Sequence, residues 1–212
     1  MPGNRRRVAG TLMTTASPNP TTGHGTEDFQ QFRSYLYLLA RAHLGPQHRV
    51  RLDPSDIVQQ SLLDAHQNQD QFRGTTDAER MAWLKQILAN NLADAARGLA
   101  RAKRDVSRER PLDAHVGDSF TRVEGWLAAI QSSPSQRAVR SEELLGLANA
   151  LTGLPQLQRE AIVLHHLQGL ALAEVGRQLQ KTPAAVAGLL HRGLKRLREV
   201  MSENETKLPL SR

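Results

Sequence analysis

A chain of 212 residues with 39% apolar and only 4% aromatic content builds one or two small domains with modest cores. A formal charge of +7 and an isoelectric point near 10.5 call for a polyanionic partner, nucleic acid before an anionic membrane surface. No uninterrupted apolar run reaches the roughly 18 to 20 residues of a membrane span, and the absence of cysteine excludes a disulfide framework, a thiolate zinc site and a thiol redox switch.

Residues 1–26 begin with Arg5, Arg6 and Arg7 and lack the apolar core of a secretory signal; with no acid before Glu27 they leave an organellar transit peptide open, but their prolines and glycines favour a disordered basic arm. Helical spacing starts near Glu27: Phe29, Phe32, Leu36, Leu39 and Leu44 share a face until Gly45-Pro46 stops the run. Asp53-Pro54-Ser55-Asp56 then supplies a cap, a proline at the first helical position and an acid in the first turn. The helix it opens carries Ile57, Val58, Leu62, Leu63 and Ala65, and its exposed side is an uncharged, amide-rich one of Gln59, Gln60, Gln67, Asn68 and Gln69. Such a side suits docking, and it also suits an ordinary solvated face.

Phe72-Arg73-Gly74 closes that helix, and Thr75-Thr76-Asp77 caps a long one from Ala78 to about Lys103, striped by Met81, Leu84, Leu88, Leu92, Ala95 and Leu99. Asn90, Asn91 and Asp94 interrupt its polar side although each is unfavourable there by up to about 0.7 kcal/mol against alanine. Its end turns basic through Arg97, Arg101, Lys103 and Arg104. An exposed polar run flowing into arginines suits a nucleic-acid strand whose bases are unstacked.

Between Pro111 and Pro134 the periodicity fades, which predicts a linker with one short helix around Trp126. Ser135 caps a helix through Val139, Leu144, Leu147 and Leu151. Pro155 opens the next, which Gly169 ends, and Leu172, Val175 and Leu179 mark a helix of two turns. Thr182-Pro183 then starts the last helix, with Val186, Leu190, Leu194 and Leu197 as its stripe. A short helix, a tight turn and a longer helix, braced by a preceding one, form a helix-turn-helix. Between Val175 and Arg198 stand Arg177, Lys181, Arg192, Lys195, Arg196 and Arg198 with no acidic residue, and DNA phosphate explains that run better than a solvated face.

The predicted fold is therefore all-α: two small helical domains, residues 27–106 and 135–202, joined by a linker at 107–134 and followed by a tail at 203–212. His165-His166 with Glu160 and Glu174 is the one His-plus-acid cluster. Adjacent side chains on a helix point about 100° apart, so no metal site is expected. There is no Gly-rich phosphate loop, no G-x-S-x-G and no H-E-x-x-H, so neither an enzyme nor a cofactor is expected.

With both basic helices in place, the chain resembles a bacterial RNA polymerase sigma factor of the extracytoplasmic-function (ECF) type, and more narrowly the group abundant in planctomycetes. The first block of the resemblance is Asp53, Asp56, Ile57, Val58, Gln59, Ser61, Leu62 and Leu63, then Phe72-Arg73-Gly74, then Trp83, Leu84, Ile87, Asn91, Asp94 and Arg97. The second is Leu154, Pro155, Arg159 and Glu160, then Gly169, Leu170, Glu174 and Val175, then Val186, Leu190, Arg192, Arg196, Leu197 and Arg198. It departs from the family pattern at Gln180, where the turn usually has glycine, and at Ala171, where the N-cap is usually serine. The reading face is depleted of polar groups at Ala187, Gly188 and Leu189.

The resemblance implies that the helix of Asp53, Asp56, Ile57, Gln59, Gln60 and Leu63 docks on core RNA polymerase. It implies that Asn91, Asp94, Arg97, Arg101, Lys103 and Arg104 melt and read the minus-ten promoter element. Lys181, Thr182, Ala187, His191, Arg192, Lys195 and Arg196 would then contact the minus-thirty-five element. It further implies a cytoplasmic, nucleoid-associated protein and leaves room for an anti-sigma factor as partner. Two other classes stay open on the residues alone: a helix-turn-helix regulator not bound to polymerase, and a recombinase-like enzyme, which would need a strand-borne nucleophile.

Overall fold

The computed structural model describes residues 27–45, 48, 51–102, 116–130 and 137–207, and among them every regular element is helical. The basic arm, Lys103, Arg104 and the segment 107–115 lie outside the described residues. The elements are α1 (Glu27–Gln30), α2 (Arg33–His43), α3 (Pro54–Gln67), α4 (Asp77–Ala102), α5 (Val116–Ile130), α6 (Arg137–Thr152), α7 (Gln156–Ile162), α8 (Leu172–Leu179) and α9 (Pro183–Lys207).

The expected first helix is broken. A turn at Gln31 and Phe32 separates α1 from α2, and the Leu36 amide returns to the Phe32 carbonyl. α2 then becomes the centre of the molecule: Tyr35, Leu36, Leu38, Leu39, Ala40, Arg41 and Ala42 are all buried, so it is covered around most of its circumference rather than along one stripe, and Arg33, Ser34 and Tyr37 stay on the open side. α3 and α4 cover it from the N-terminal half, α5 and α6 from the other direction, and one continuous apolar core runs from Phe29 to Leu197.

Where the sequence predicts a linker with a short helix, α5 runs for 15 residues and buries Val116, Phe120, Val123 and Leu127. Those four recur at intervals of three and four, a helical stripe that the surrounding Gly, Ser and Thr obscure. α7 also differs from a plain helix. After Ile162 it widens into a π-helical turn, Val163–Leu167, and Gly169 at φ +75° lets the chain reverse so that the Leu170 amide reaches the Leu164 carbonyl.

The two halves are joined by buried polar contacts. Arg41 of α2, 3% exposed, forms an ion pair with Glu160 of α7, 18% exposed. Gln168 donates its side-chain amide to the carbonyls of Arg41 and Leu44 at 2.8 and 3.1 Å. Tyr35 donates to Glu124 of α5, which also accepts from Lys85 of α4 at 2.7 Å. Burial, reinforced by the Glu124 carboxylate, pushes the Tyr35 hydroxyl far above the ordinary phenol range, so it remains a donor.

Candidate nucleic-acid and polymerase-docking surfaces

α3 is fixed at both ends by its own sequence. The Asp53 carboxylate accepts from the Ser55 amide at 2.7 Å, Pro54 occupies the first turn, and the Asn68 side chain donates to the Asp64 carbonyl at 2.8 Å. Its inner face is buried through Ile57, Val58, Ser61, Leu62 and Ala65. Asp53, Asp56, Gln59 and Gln60 are exposed beside Leu63, a large apolar side chain left 47% open. Of the six residues expected to dock, Ile57 is the exception: at 8% exposure it belongs to the core and can support a docking face but not form it.

α4 presents its polar side differently from end to end. Asn91 is half-buried and donates to Ser61 at 3.1 Å and to Asp64 at 2.8 Å, so its amide ties α4 to α3. Asp94 and Arg97 are exposed and pair with each other at 2.5 Å, and Arg101 is exposed beyond them. A solvent-facing pair of this kind contributes little stability, which leaves both groups available for exchange with a ligand.

The helix-turn-helix is built on close backbone approach. Gly176 of α8 lies under the turn: a Cβ there would stand 2.6 Å from the Lys181 carbonyl oxygen. Gln180 adopts φ 54°, ψ 45°, the left-handed conformation that favours glycine. Ala171 at the N-cap offers no side-chain acceptor, and only the reverse half of a capping box forms, from the Ala171 amide to Glu174 at 3.0 Å. Gly193 brings α9 onto α7, since a Cβ would meet Ile162 at 2.9 Å.

α9 starts at Thr182, whose hydroxyl accepts from the Ala185 amide at 3.2 Å. Val186, Leu190, Gly193 and Leu197 face inward, while Lys181, Thr182, Ala187, His191, Arg192, Lys195, Arg196 and Arg198 are all exposed, with Glu199 3.5 Å from Arg196. The Arg192 guanidinium folds back along the helix, 3.3 Å from where a Cβ on Gly188 would be. A long cation is thereby laid over the small-residue half of the helix, close to any groove that half enters.

His165 and His166 occupy the π-helical turn with rings 4.8 Å apart. His165 places Nδ1 2.8 Å from the Leu170 carbonyl, and His166 stacks on Trp126 of α5 at 5.4 Å. Burial, and secondarily the neighbouring His165, lower the His166 pKa, which keeps that ring neutral. The pair therefore serves packing between α5 and α7. The Arg41–Glu160 pair was legible only as a lone arginine within an apolar run, YLYLLARAHL, and its partner lies 119 residues away.

Residues 144–197, from within α6 through the helix-turn-helix, match the family model for Sigma-70, region 4. The ECF RNA polymerase sigma factor SigF of Caulobacter vibrioides is 32% identical over 151 residues, 70% of this chain and 71% of that protein. The chain belongs to the ECF RNA polymerase sigma factors. The sigma factor SigD of Mycobacterium tuberculosis is 28% identical over 175 residues, covering 82% of this chain and 74% of its own. The sigma factor CarQ of Myxococcus xanthus is 29% identical over 150 residues, with 71% and 75% covered. As an ECF sigma factor, the protein works in transcription initiation with RNA polymerase and promoter DNA. No described helix is long and apolar enough to cross a membrane.

Proposed function

We propose that residues 27–106 form a region 2-like unit that docks on core polymerase through the outer face of α3 and engages the minus-ten element along α4. Residues 135–202 would form a region 4-like unit that engages the minus-thirty-five element through α9. The segment 107–134 connects them, and residues 1–26 and 203–212 are arm and tail. The protein acts as a non-catalytic, cytoplasmic factor on the nucleoid, related to the planctomycete group and open to control by an anti-sigma factor.

What supports this reading is an outer face of α3 that is exposed and uncharged at Gln59, Gln60 and Gln67, on a helix capped at both ends, in a chain that belongs to the ECF sigma factors. A rigid face of uncharged amides is covered by a protein partner at lower desolvation cost than a charged one, and Leu63 adds apolar area to it. The test is capture of core polymerase and run-off transcription with Gln59→Lys. Capture and transcription fall together while the helical circular-dichroism signal stays unchanged; undiminished capture removes α3 from the role.

α9 supports backbone-dominated DNA contact. Its leading half offers Thr182, Ala184, Ala185, Ala187 and Gly188, with almost no donors for base edges, and its cations follow from Arg192 onward. His191 and the folded-back Arg192 are the groups placed to reach a base.

The two promoter elements lie about 25 base pairs apart, about 85 Å at 3.4 Å per pair, while a folded chain of this length has a radius of gyration of about 17 Å. Both elements cannot be held while the halves share α2 as a common core. Promoter engagement therefore requires the Arg41–Glu160 and Gln168 contacts to open, with α5 released between the halves.

A further inference from the structure

A cleft of about 240 Å³ lies where the halves meet, lined by Arg33, Ser34 and Tyr37 of α2, Ser55 and Val58 of α3, Thr152 at the end of α6 and Arg159 of α7. Its chemistry is one-sided. Arg33 makes no ion pair or hydrogen bond among the described residues, and neither does the hydroxyl of Tyr37 or of Ser55. Arg159 donates one guanidinium nitrogen to the Thr152 carbonyl at 2.6 Å, while its Nε is buried without a partner. No carboxylate lines the cleft. The nearby Asp53 is engaged with the Ser55 amide, and Glu160 with Arg41. The first turn of α3 carries Asp53 and Asp56, which already complement its dipole, so the attraction for an anion rests on the two guanidinium groups.

We propose that this cleft is a binding site for a small phosphorylated anion, held between Arg33 and Arg159 with hydroxyl donors from Tyr37 and Ser55. Two guanidinium groups with unused donors are the usual recognition chemistry for phosphate: Arg33 offers its whole fork, and Arg159 the donors that its bond to the Thr152 carbonyl leaves open. The volume is below the roughly 300 to 1,000 Å³ of sites that enclose whole drug-sized molecules, so it suits orthophosphate, pyrophosphate or the phosphate tail of a nucleotide. Arg33 belongs to the N-terminal half and Arg159 to the C-terminal half. An anion bridging them binds the closed arrangement better than the open one and shifts the population toward it. That regulatory consequence rests on the proposed opening at the promoter; the binding itself does not.

Titration calorimetry on the full chain with orthophosphate, pyrophosphate and ATP tests the site. Pyrophosphate is expected to bind saturably at one site, and Arg33→Gln and Arg159→Gln each to weaken it by about tenfold or more. Arg33 is exposed, so its variant keeps the fold even if Arg159→Gln does not. Arg192→Gln, on the basic face of α9, is expected to leave the affinity unchanged. Tighter binding of ATP than of pyrophosphate assigns the site to a nucleotide's phosphate tail, and equal or weaker binding assigns it to the free anion. Absence of saturable binding overturns the proposal, as does binding that survives Arg33→Gln or is lost in Arg192→Gln. The chain has no cysteine, so Ala82→Cys with Glu203→Cys gives a clean pair of labels. Core polymerase and promoter DNA are expected to widen the distance between them, and pyrophosphate to reverse that widening. Tight, Arg33-dependent binding that leaves the widened distance unchanged overturns the closure claim and retains the site.

Discussion

The N-terminal helices α3 and α4 and the C-terminal helices α8 and α9 solve the same problem in opposite ways. α3 has Asp53, Pro54 and Asn68 at its ends. α4 has a complete capping box, in which Thr76 accepts from the Glu79 amide at 3.3 Å and Glu79 accepts from the Thr75 and Thr76 amides at 2.9 and 3.0 Å. In the helix-turn-helix the cap is Ala171, the left-handed turn residue is Gln180, and the geometry is held by glycines that admit neighbouring backbone and side chains. Local signals define the first pair and, through Thr182 and Pro183, the start of α9. α8 and the turn after it depend on what is packed around them, and so respond more strongly to changes elsewhere.

The largest expected effect tests whether the C-terminal half leans on α2. Glu160→Ala leaves Arg41 charged and buried, and loss of one member of such a pair costs about 3 to 5 kcal/mol. Urea unfolding is expected to show that loss, with the helix-turn-helix opening first by hydrogen exchange. The double substitution Arg41→Met with Glu160→Leu should recover most of it. Uniform loss of protection across α3 and α9 would erase the distinction drawn between the halves.

Next comes the turn itself. Gly176→Ala places a methyl 2.6 Å from the Lys181 carbonyl, and the displacement it forces costs about 1 to 3 kcal/mol despite the better helix propensity of alanine. Binding of a minus-thirty-five duplex should weaken with it, while capture of core polymerase through α3 persists. If thermal stability is unchanged, the turn is looser than the structure describes.

Two substitutions should raise stability where the local signals are poor. Ala171→Ser supplies the missing acceptor for about 1 kcal/mol, and Gln180→Gly relieves the left-handed backbone by about as much. Their sites differ enough for the gains to add. A loss of melting temperature in either variant would show that α8 is already satisfied by its neighbours.

The smallest effect is acid sensitivity, and it sorts the halves by pH. His166 has its pKa lowered in the fold by burial, so the unfolded chain takes up the proton first: its contribution is present above the ordinary value of 6.5 and is lost as pH falls below it. Glu79 has its pKa lowered by the Thr75 and Thr76 amides and the Thr76 hydroxyl, so its contribution is present above 4.5 and is lost only at lower pH. In a Trp83→Phe background, Trp126 fluorescence should titrate below pH 6.5, and His166→Gln should abolish the titration. A signal that moves only near pH 4 would reverse the order of the two halves.

The all-α class, the stripes of α3, α4 and α9, the caps at Asp53, Thr76 and Thr182, and the basic run from Lys181 to Arg198 were legible along the chain alone. These follow from periodicity and from contacts within four residues, which the chain encodes side by side. Tertiary structure decided what depends on distant partners. It made α2 a core helix and turned the expected linker into α5, whose stripe gains meaning only against α2 and the π-helical turn. It moved Asn91 from a free polar face to a tie on Ser61 and Asp64, and it left Leu63 open while Ile57 of the same apolar set went into the core. It also brought Arg33 and Arg159, 126 positions apart, to the same cleft. Pairings of that kind are set by how helices stack, and no spacing along the chain records them.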